Sequence, residues 1–261
     1  MPNSCLKFLE LGTDSARRRI AVRPQAGAAP ALLWLGGLKS DMGGTKAQAL
    51  ADWAAEQGRA CLRFDYSGHG ESGGAFVDGT IGRWLEDALA VTDAFCRGPQ
   101  VIVGSSMGGW IALLLLRELQ RRATAGRPAP FTAQALVLIA PAVDFTEVLM
   151  WQRLPPPARR ALEETGVWQR PSAYSEEPYP ITRRLIEEGR DHLLLGSLIE
   201  TGCPVRILQG VRDPDVPWQH AVDLSARIAR DDVVLTLVKD GDHRLSRPDD
   251  IARLLQVVAE L

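Results

Sequence analysis

Val101-Ile102-Val103-Gly104-Ser105-Ser106-Met107-Gly108-Gly109-Trp110 reads as an apolar run that passes through a glycine-flanked serine into a second apolar run. Residues 101–103 suit a buried strand and 106–122 a helix, so Gly104-Ser105-Ser106-Met107-Gly108 falls on a strand-to-helix turn. In this G-x-S-x-G pattern the glycines stand where a larger side chain would strike neighbouring backbone, and the central serine is left exposed. Ser106 then lies at a helix N-terminus, whose unpaired N–H groups and dipole favour the negative charge that develops when a carbonyl is attacked. An ordinary glycine-rich turn can carry the same five residues, and the surrounding chain decides between the two.

Outward from that turn, strands and helices alternate. Apolar runs at 31–35, 60–64, 135–139, 205–208 and 233–238 read as strands, and 44–57, 81–95, 218–229 and 248–261 as helices. Two shorter strands at 6–11 and 19–23, joined through Gly12-Thr13-Asp14-Ser15, form a leading hairpin. Such alternation requires a mostly parallel central sheet with helices on both faces, because each return crossover carries a helix. A length of 261 residues suits a single α/β domain over 1–261. One interval breaks the rhythm: between 140 and 203 stand Pro155-Pro156-Pro157, several charges, Trp151, Trp168, Tyr174 and Tyr179, with no core strand. This predicts a small helical lid inserted at about 142–202, above the strand ends where open α/β sheets place their ligands; the alternative is an ornament packed on the outside.

Composition excludes several classes. The formal net charge of -2 leaves no electrostatic footprint for nucleic acid. Cys5, Cys61, Cys96 and Cys203 are widely spaced with no C-x-x-C pair, which predicts reduced thiols and no zinc or redox centre. No pair of histidines has metal-ligand spacing, so neither metal nor cofactor is expected. The apolar run 111–116 is too short to span a bilayer and suits a helix buried beneath the sheet. The N-terminal stretch lacks a secretory or transit pattern, and a cytoplasmic location is expected. Gly68, Gly70 and Gly73 satisfy a dinucleotide fingerprint, but loop residues follow them where a helix should open. In LGGLKSDMGGTK the order Gly44-Thr45-Lys46 departs from that of a phosphate-binding loop.

A nucleophilic serine needs a base and an orienting acid, which follow it in the order acid then histidine when the serine sits on such an elbow. Asp213 lies just past the strand 205–208, and His243 lies in the loop beyond the last strand, 233–238. His69 precedes Ser106, His192 falls in the insertion and His220 on a helix, so each suits a structural role better. Asp144 and Asp215 also lie near strand ends and stay open as alternative acids.

The chain resembles the α/β-hydrolase family, and within it most closely the palmitoyl-protein thioesterase branch also described as acyl-glucuronide esterases. The resemblance is carried by MGGTKA, CLRFDYSGHGES, GPQVIVGSSMGGW, GVWQRPSAYSEE, CPVRILQG, DVPW and DHR, which span most of the chain. It implies an enzyme, a serine hydrolase that cleaves carboxylic ester or thioester bonds through an acyl-enzyme. Ser106 would be nucleophile, Asp213 acid and His243 base, with the backbone N–H groups of Leu38 and Met107 as oxyanion donors. Its substrate would be a small ester or acyl thioester, or an acylated protein. Phe145, Leu149, Trp151, Leu154 and Trp168, the apolar groups of the insertion, are the expected acyl-binding residues. A noncatalytic binding protein on the same fold is the alternative, and a missing Ser, His or Asp would have supported it.

Overall fold

The computed structural model describes residues 5–13, 17–171, 177–229 and 232–261. Its centre is an eight-stranded sheet in the order β1-β2-β4-β3-β5-β6-β9-β10. The leading hairpin pairs β1 (Lys7–Leu11) with β2 (Arg18–Gln25) in antiparallel register, and β2 runs antiparallel to β4 (Arg59–Phe64). Asp14 and Ser15 of its connection lie outside the described residues. From β4 onward neighbours are parallel: β3 (Ala28–Leu35), β5 (Gly98–Ser105), β6 (Phe131–Ile139), β9 (Val205–Gly210) and β10 (Val233–Val238). The mostly parallel sheet expected from the alternation is therefore the one observed.

Strand residues point alternately to opposite faces, and each face carries its own core. On β5, Val101 and Val103 join one cluster while Ile102 joins the other; on β6, Val137 and Ile139 oppose Leu136 and Leu138 in the same way. The first cluster is covered by α1 (Thr45–Glu56) and α7 (Pro248–Ala259). The second is covered by α2 (Ile81–Phe95), α3 (Met107–Thr124) and α6 (Trp218–Arg227). The run Ile111 to Leu116 is buried on every side of α3, the most exposed member reaching only 3%. Each such leucine contributes about 1.5–3 kcal/mol of burial, so α3 is a main anchor of the sheet.

The segment between β6 and β9 begins with a π-helical turn, Thr146–Met150, and a 3-10 turn, Trp151–Arg153. Then come α4 (Pro156–Thr165), β7 (Val167–Arg170), β8 (Tyr179–Thr182) and α5 (Arg183–Gly189). Prolines at the first helical positions start α4, where a missing N–H costs nothing, and Gly166 ends it at φ 77°. The insertion adds no strand to the central sheet, as expected, but beside its helices it carries β7 and β8, which pair antiparallel as a separate two-stranded sheet. Strands of four residues, one holding Pro180, are too short for an alternating pattern to register. Tyr174, with the rest of 172–176, lies outside the described residues.

Candidate active site

The turn between β5 and α3 is held from several sides. Ser106 has φ 54° and ψ -119°, a conformation that costs about 1–3 kcal/mol for a residue with a side chain. Its N–H donates to the Ile139 carbonyl at 2.8 Å, and its own carbonyl accepts from Gly109 at 2.9 Å and Ala142 at 3.1 Å. A Cβ on Gly104 would come within 2.5 Å of the Gly108 carbonyl oxygen, and one on Gly108 would run into the Leu35 carbonyl. Both glycines of the motif are thus demanded by close backbone approach.

The loop after β9 and the loop after β10 bring the other two groups to Ser106. His243 Nε2 lies 3.0 Å from Ser106 Oγ, and His243 Nδ1 lies 2.7 Å from Asp213 Oδ2. A carboxylate can only accept, so Nδ1 carries the proton and Nε2 is left as acceptor for the serine hydroxyl. Asp213 is buried and fully engaged: Oδ1 accepts from the N–H groups of Asp215 at 2.9 Å and Val216 at 2.8 Å, and Oδ2 also from Gln209 Nε2 at 3.1 Å. The two loops touch at Gly210, where a Cβ would lie 2.5 Å from the carbonyls of Gly241 and Asp242. A hydroxyl bonded to an imidazole that is bonded in turn to a carboxylate can lose its proton as it attacks an electrophilic carbon.

Opposite Ser106 runs the loop between β3 and α1. A Cβ on Gly37 would meet Ser105 O and Ser106 Cβ at 3.3 Å, so this backbone passes directly over the serine. Met107 opens α3 and its N–H has no acceptor within the helix. The loop is gripped at Met42, whose N–H donates to Asp65 Oδ1 at 2.6 Å and whose carbonyl accepts from Arg63 Nη1 at 2.9 Å. Burial raises the Asp65 carboxyl above its ordinary range, against the pull of the Glu71 and Met42 N–H groups.

Ser106 and His243 open into a cleft of about 520 Å³. Ala142, Phe145, Leu149, Met150, Tyr179 and Val216 contribute apolar wall, and Ser40, Asp41, Thr45, Lys46, Arg244 and Ser246 are among its polar lining. Leu38 and Met107 also line it. Of the five apolar residues expected to face the substrate, Phe145 and Leu149 line the cleft. Trp151, Leu154 and Trp168 are outside its lining and pack against the main core, Trp151 with the Arg159 and Arg190 guanidinium groups over its ring at 4.6 and 5.2 Å. Met150, Arg170 and Tyr179 also line the cleft and were missed: Met150 sits on a π turn that follows no helical period, and Arg170 and Tyr179 on strands too short to read. Gln209 was missed too, although a polar residue inside the apolar strand VRILQG was a usable signal.

The remaining histidines take other roles. His69 is buried among Tyr66, Phe76 and Trp84, and that burial pushes its pKa down to about 4. His192 pairs with Glu188 at 3.0 Å, and burial lowers the pKa of His220. Among the described residues, Asp213, Asp215 and His243 alone bring three metal-capable groups together, within 4.8 Å. Asp213 and His243 bond each other, and Asp215 pairs with Arg170 at 2.7 Å, so those atoms are already engaged. Cys61, Cys96 and Cys203 are buried and Cys5 is exposed, and none of the four is in a disulfide among the described residues. No helix among the described residues is long and apolar enough to cross a membrane.

A model of the alpha/beta hydrolase family matches residues 26–254, and the chain belongs to that family. Among its relatives, the human protein named palmitoyl-protein thioesterase ABHD10, mitochondrial, is 37% identical over 243 residues, which cover 93% of this chain and 76% of that one. The structure of alpha/beta hydrolase domain-containing protein 10 from mouse superposes with a TM-score of 0.84 at 35% identity, covering 98% of this chain and 97% of that one. A protein from Agrobacterium vitis S4 of known crystal structure gives 0.94 at 51% identity, over 98% and 97% of the two chains. The resemblance read from the motifs is borne out, and hydrolase activity follows from family and relatives together. The cytoplasmic location is not: the curated relatives are named mitochondrial, which overturns it.

Asp144, the alternative acid, is used elsewhere. Its carboxylate accepts from Leu194 N at 2.9 and 3.1 Å and from Leu195 N at 2.8 Å, tying the end of the insertion to its beginning. Asp144→Asn turns one acceptor into a donor facing those N–H groups. It is expected to lower stability by about 1–3 kcal/mol, read from the urea midpoint, while turnover stays close to that of the parent. A collapse of turnover at unchanged stability would return Asp144 to the candidate acids.

Proposed function

We propose that this protein is a serine hydrolase of carboxylic esters and acyl thioesters, with Ser106 as nucleophile, His243 as base and Asp213 as orienting acid. One observation carries the reading: the continuous path Asp213–His243–Ser106, with links of 2.7 and 3.0 Å, ends on a serine that opens into the cleft. His243 takes the Ser106 proton as Oγ attacks the acyl carbonyl, and the N–H groups of Leu38 and Met107 receive the oxyanion. His243 then protonates the departing alcohol or thiol. Water, activated by the same imidazole, releases the acid from the acyl-enzyme. Asp213 holds the Nδ1–H tautomer throughout.

The apolar wall takes the acyl chain, and residues 142–202 act as the lid of a single α/β-hydrolase domain. Support for the lid comes from Phe145, Leu149, Met150 and Tyr179, which the insertion contributes to the cleft, and from the Arg170–Asp215 pair. Because a relative is named a palmitoyl-protein thioesterase, palmitoyl thioesters are the substrates to try first.

Two measurements test this function. Ser106→Ala is expected to lose turnover by roughly a million-fold and Asp213→Asn by on the order of 10⁴, with Ser105→Ala far less affected. Near-normal activity in Ser106→Ala would end the assignment. Across a series of acyl esters, kcat/KM should rise with chain length through medium chains. Each enclosed methylene contributes about 0.8 kcal/mol, so four more give roughly a hundredfold. Leu149→Ala should flatten that rise and Trp151→Ala should leave it in place. A series that is flat in the parent would remove the acyl chain from this wall.

A further inference from the structure

The first turn of α1 sends Lys46 to the loop that carries His243. Its Nζ donates to the carbonyl of Arg244, the next residue after His243, and to Ser246 Oγ at 3.3 Å; Ser246 Oγ donates to the same carbonyl at 2.9 Å. At this same end α1 continues directly from the loop over Ser106, which Asp65 and Arg63 hold at Met42. One ammonium group thus joins the backbone bearing the Leu38 N–H to the backbone bearing the imidazole. Taking an ammonium out of water is costly, and the cost is offset where its donors are used.

We propose that Lys46 is a positioning residue: its ammonium clamps the histidine loop against α1 and keeps His243 Nε2 within reach of Ser106. This rests on the roles given above to Ser106 and His243. Arg244 and Asp242 on the histidine loop and Asp250 on α7 act on the Lys46 charge, and Asp41 and Arg253 line the cavities that Lys46 borders. Burial, and then Arg244, lower its pKa from 10.5 to about 8, against the opposite pull of Asp242 and Asp250. In the folded protein the clamp is therefore charged below about pH 8 and neutral above it. A neutral amine is a weaker donor to a carbonyl than an ammonium. The unfolded chain keeps this proton up to the ordinary 10.5, so between those values its loss favours the folded state. A fall in turnover over that interval is then no sign of unfolding at Lys46.

The test is kcat and KM for p-nitrophenyl butyrate from about pH 6 to 10 in the parent, Lys46→Met, Lys46→Arg and Ser106→Ala. The parent kcat is expected to fall above about pH 8. Lys46→Met should lose roughly tenfold to a hundredfold in kcat, with KM little changed and no alkaline fall. Lys46→Arg stays charged at every pH used, so it should regain most of kcat and also lack the fall. The role is overturned by a parent profile level through alkaline pH, by an alkaline fall that persists in Lys46→Arg, or by parental kcat in Lys46→Met. If Lys46→Met does not fold, the parent and Lys46→Arg profiles decide. Parental turnover in Ser106→Ala would bring down the active-site reading and this role with it. An inactive Ser106→Ala beside Lys46 variants that match the parent would bring down the role of Lys46 alone.

Discussion

The close approach of α3 to β3 and β5 is the constraint from which the site is built. Gly108 lies against the Leu35 carbonyl and Gly104 against Gly108, so the helix starts almost in contact with the sheet. The chain can make that start only through the left-handed conformation at Ser106. The strain is held by the apolar contacts of Ile111 to Leu116 and by hydrogen bonds from Ser106 to β6 and to the chain just beyond it. Its consequence is geometric: the hydroxyl stands clear of the sheet, beside the first N–H of α3, and points to where the two later loops arrive.

Those loops are fixed by backbone as much as by side chains. Gly210 lets the ends of β9 and β10 approach within contact of each other, and Arg212 N donates to the Gly241 carbonyl at 2.9 Å. Asp213 and His243 are therefore set at a fixed separation before the insertion is considered. The insertion is attached through polar groups at its margins: Asp144 to Leu194 and Leu195, Glu188 to the Gly82 N–H at the start of α2, and Arg170 to Asp215. Burial resists the charge on Glu188, but His192 and the Gly82 N–H outweigh it and hold the carboxyl below its ordinary range. This contact is present above the ordinary carboxyl pKa and is lost as pH falls through the lowered one.

Where function follows strand ends, the sequence was a good guide. Ser106, Asp213 and His243 each follow an apolar strand, and the parallel sheet brings those ends to one edge, so the proposed triad could be picked out without coordinates. The order β2-β4-β3 could not, because alternation alone does not say on which side the next strand is laid. Lys46 is 198 residues from the carbonyl it reaches, a separation across which no local pattern pairs the two. Trp151 and Trp168 looked like substrate groups because they are large and apolar in a polar stretch; the core and two arginines claim Trp151 instead. The N-terminal residues are a poor guide to cellular location, for which the relatives' mitochondrial names overturn the cytoplasmic expectation.

The central claim, that Ser106 is the activated hydroxyl, is tested most directly by treating the folded protein with a fluorophosphonate and mapping the adduct by peptide mass spectrometry. The account predicts a single adduct on Ser106, slowed in Asp213→Asn and absent in Ser106→Ala. An adduct on Ser40, Ser105 or Ser246 instead, or an unmodified Ser106 in protein that has lost its turnover to the reagent, would contradict it.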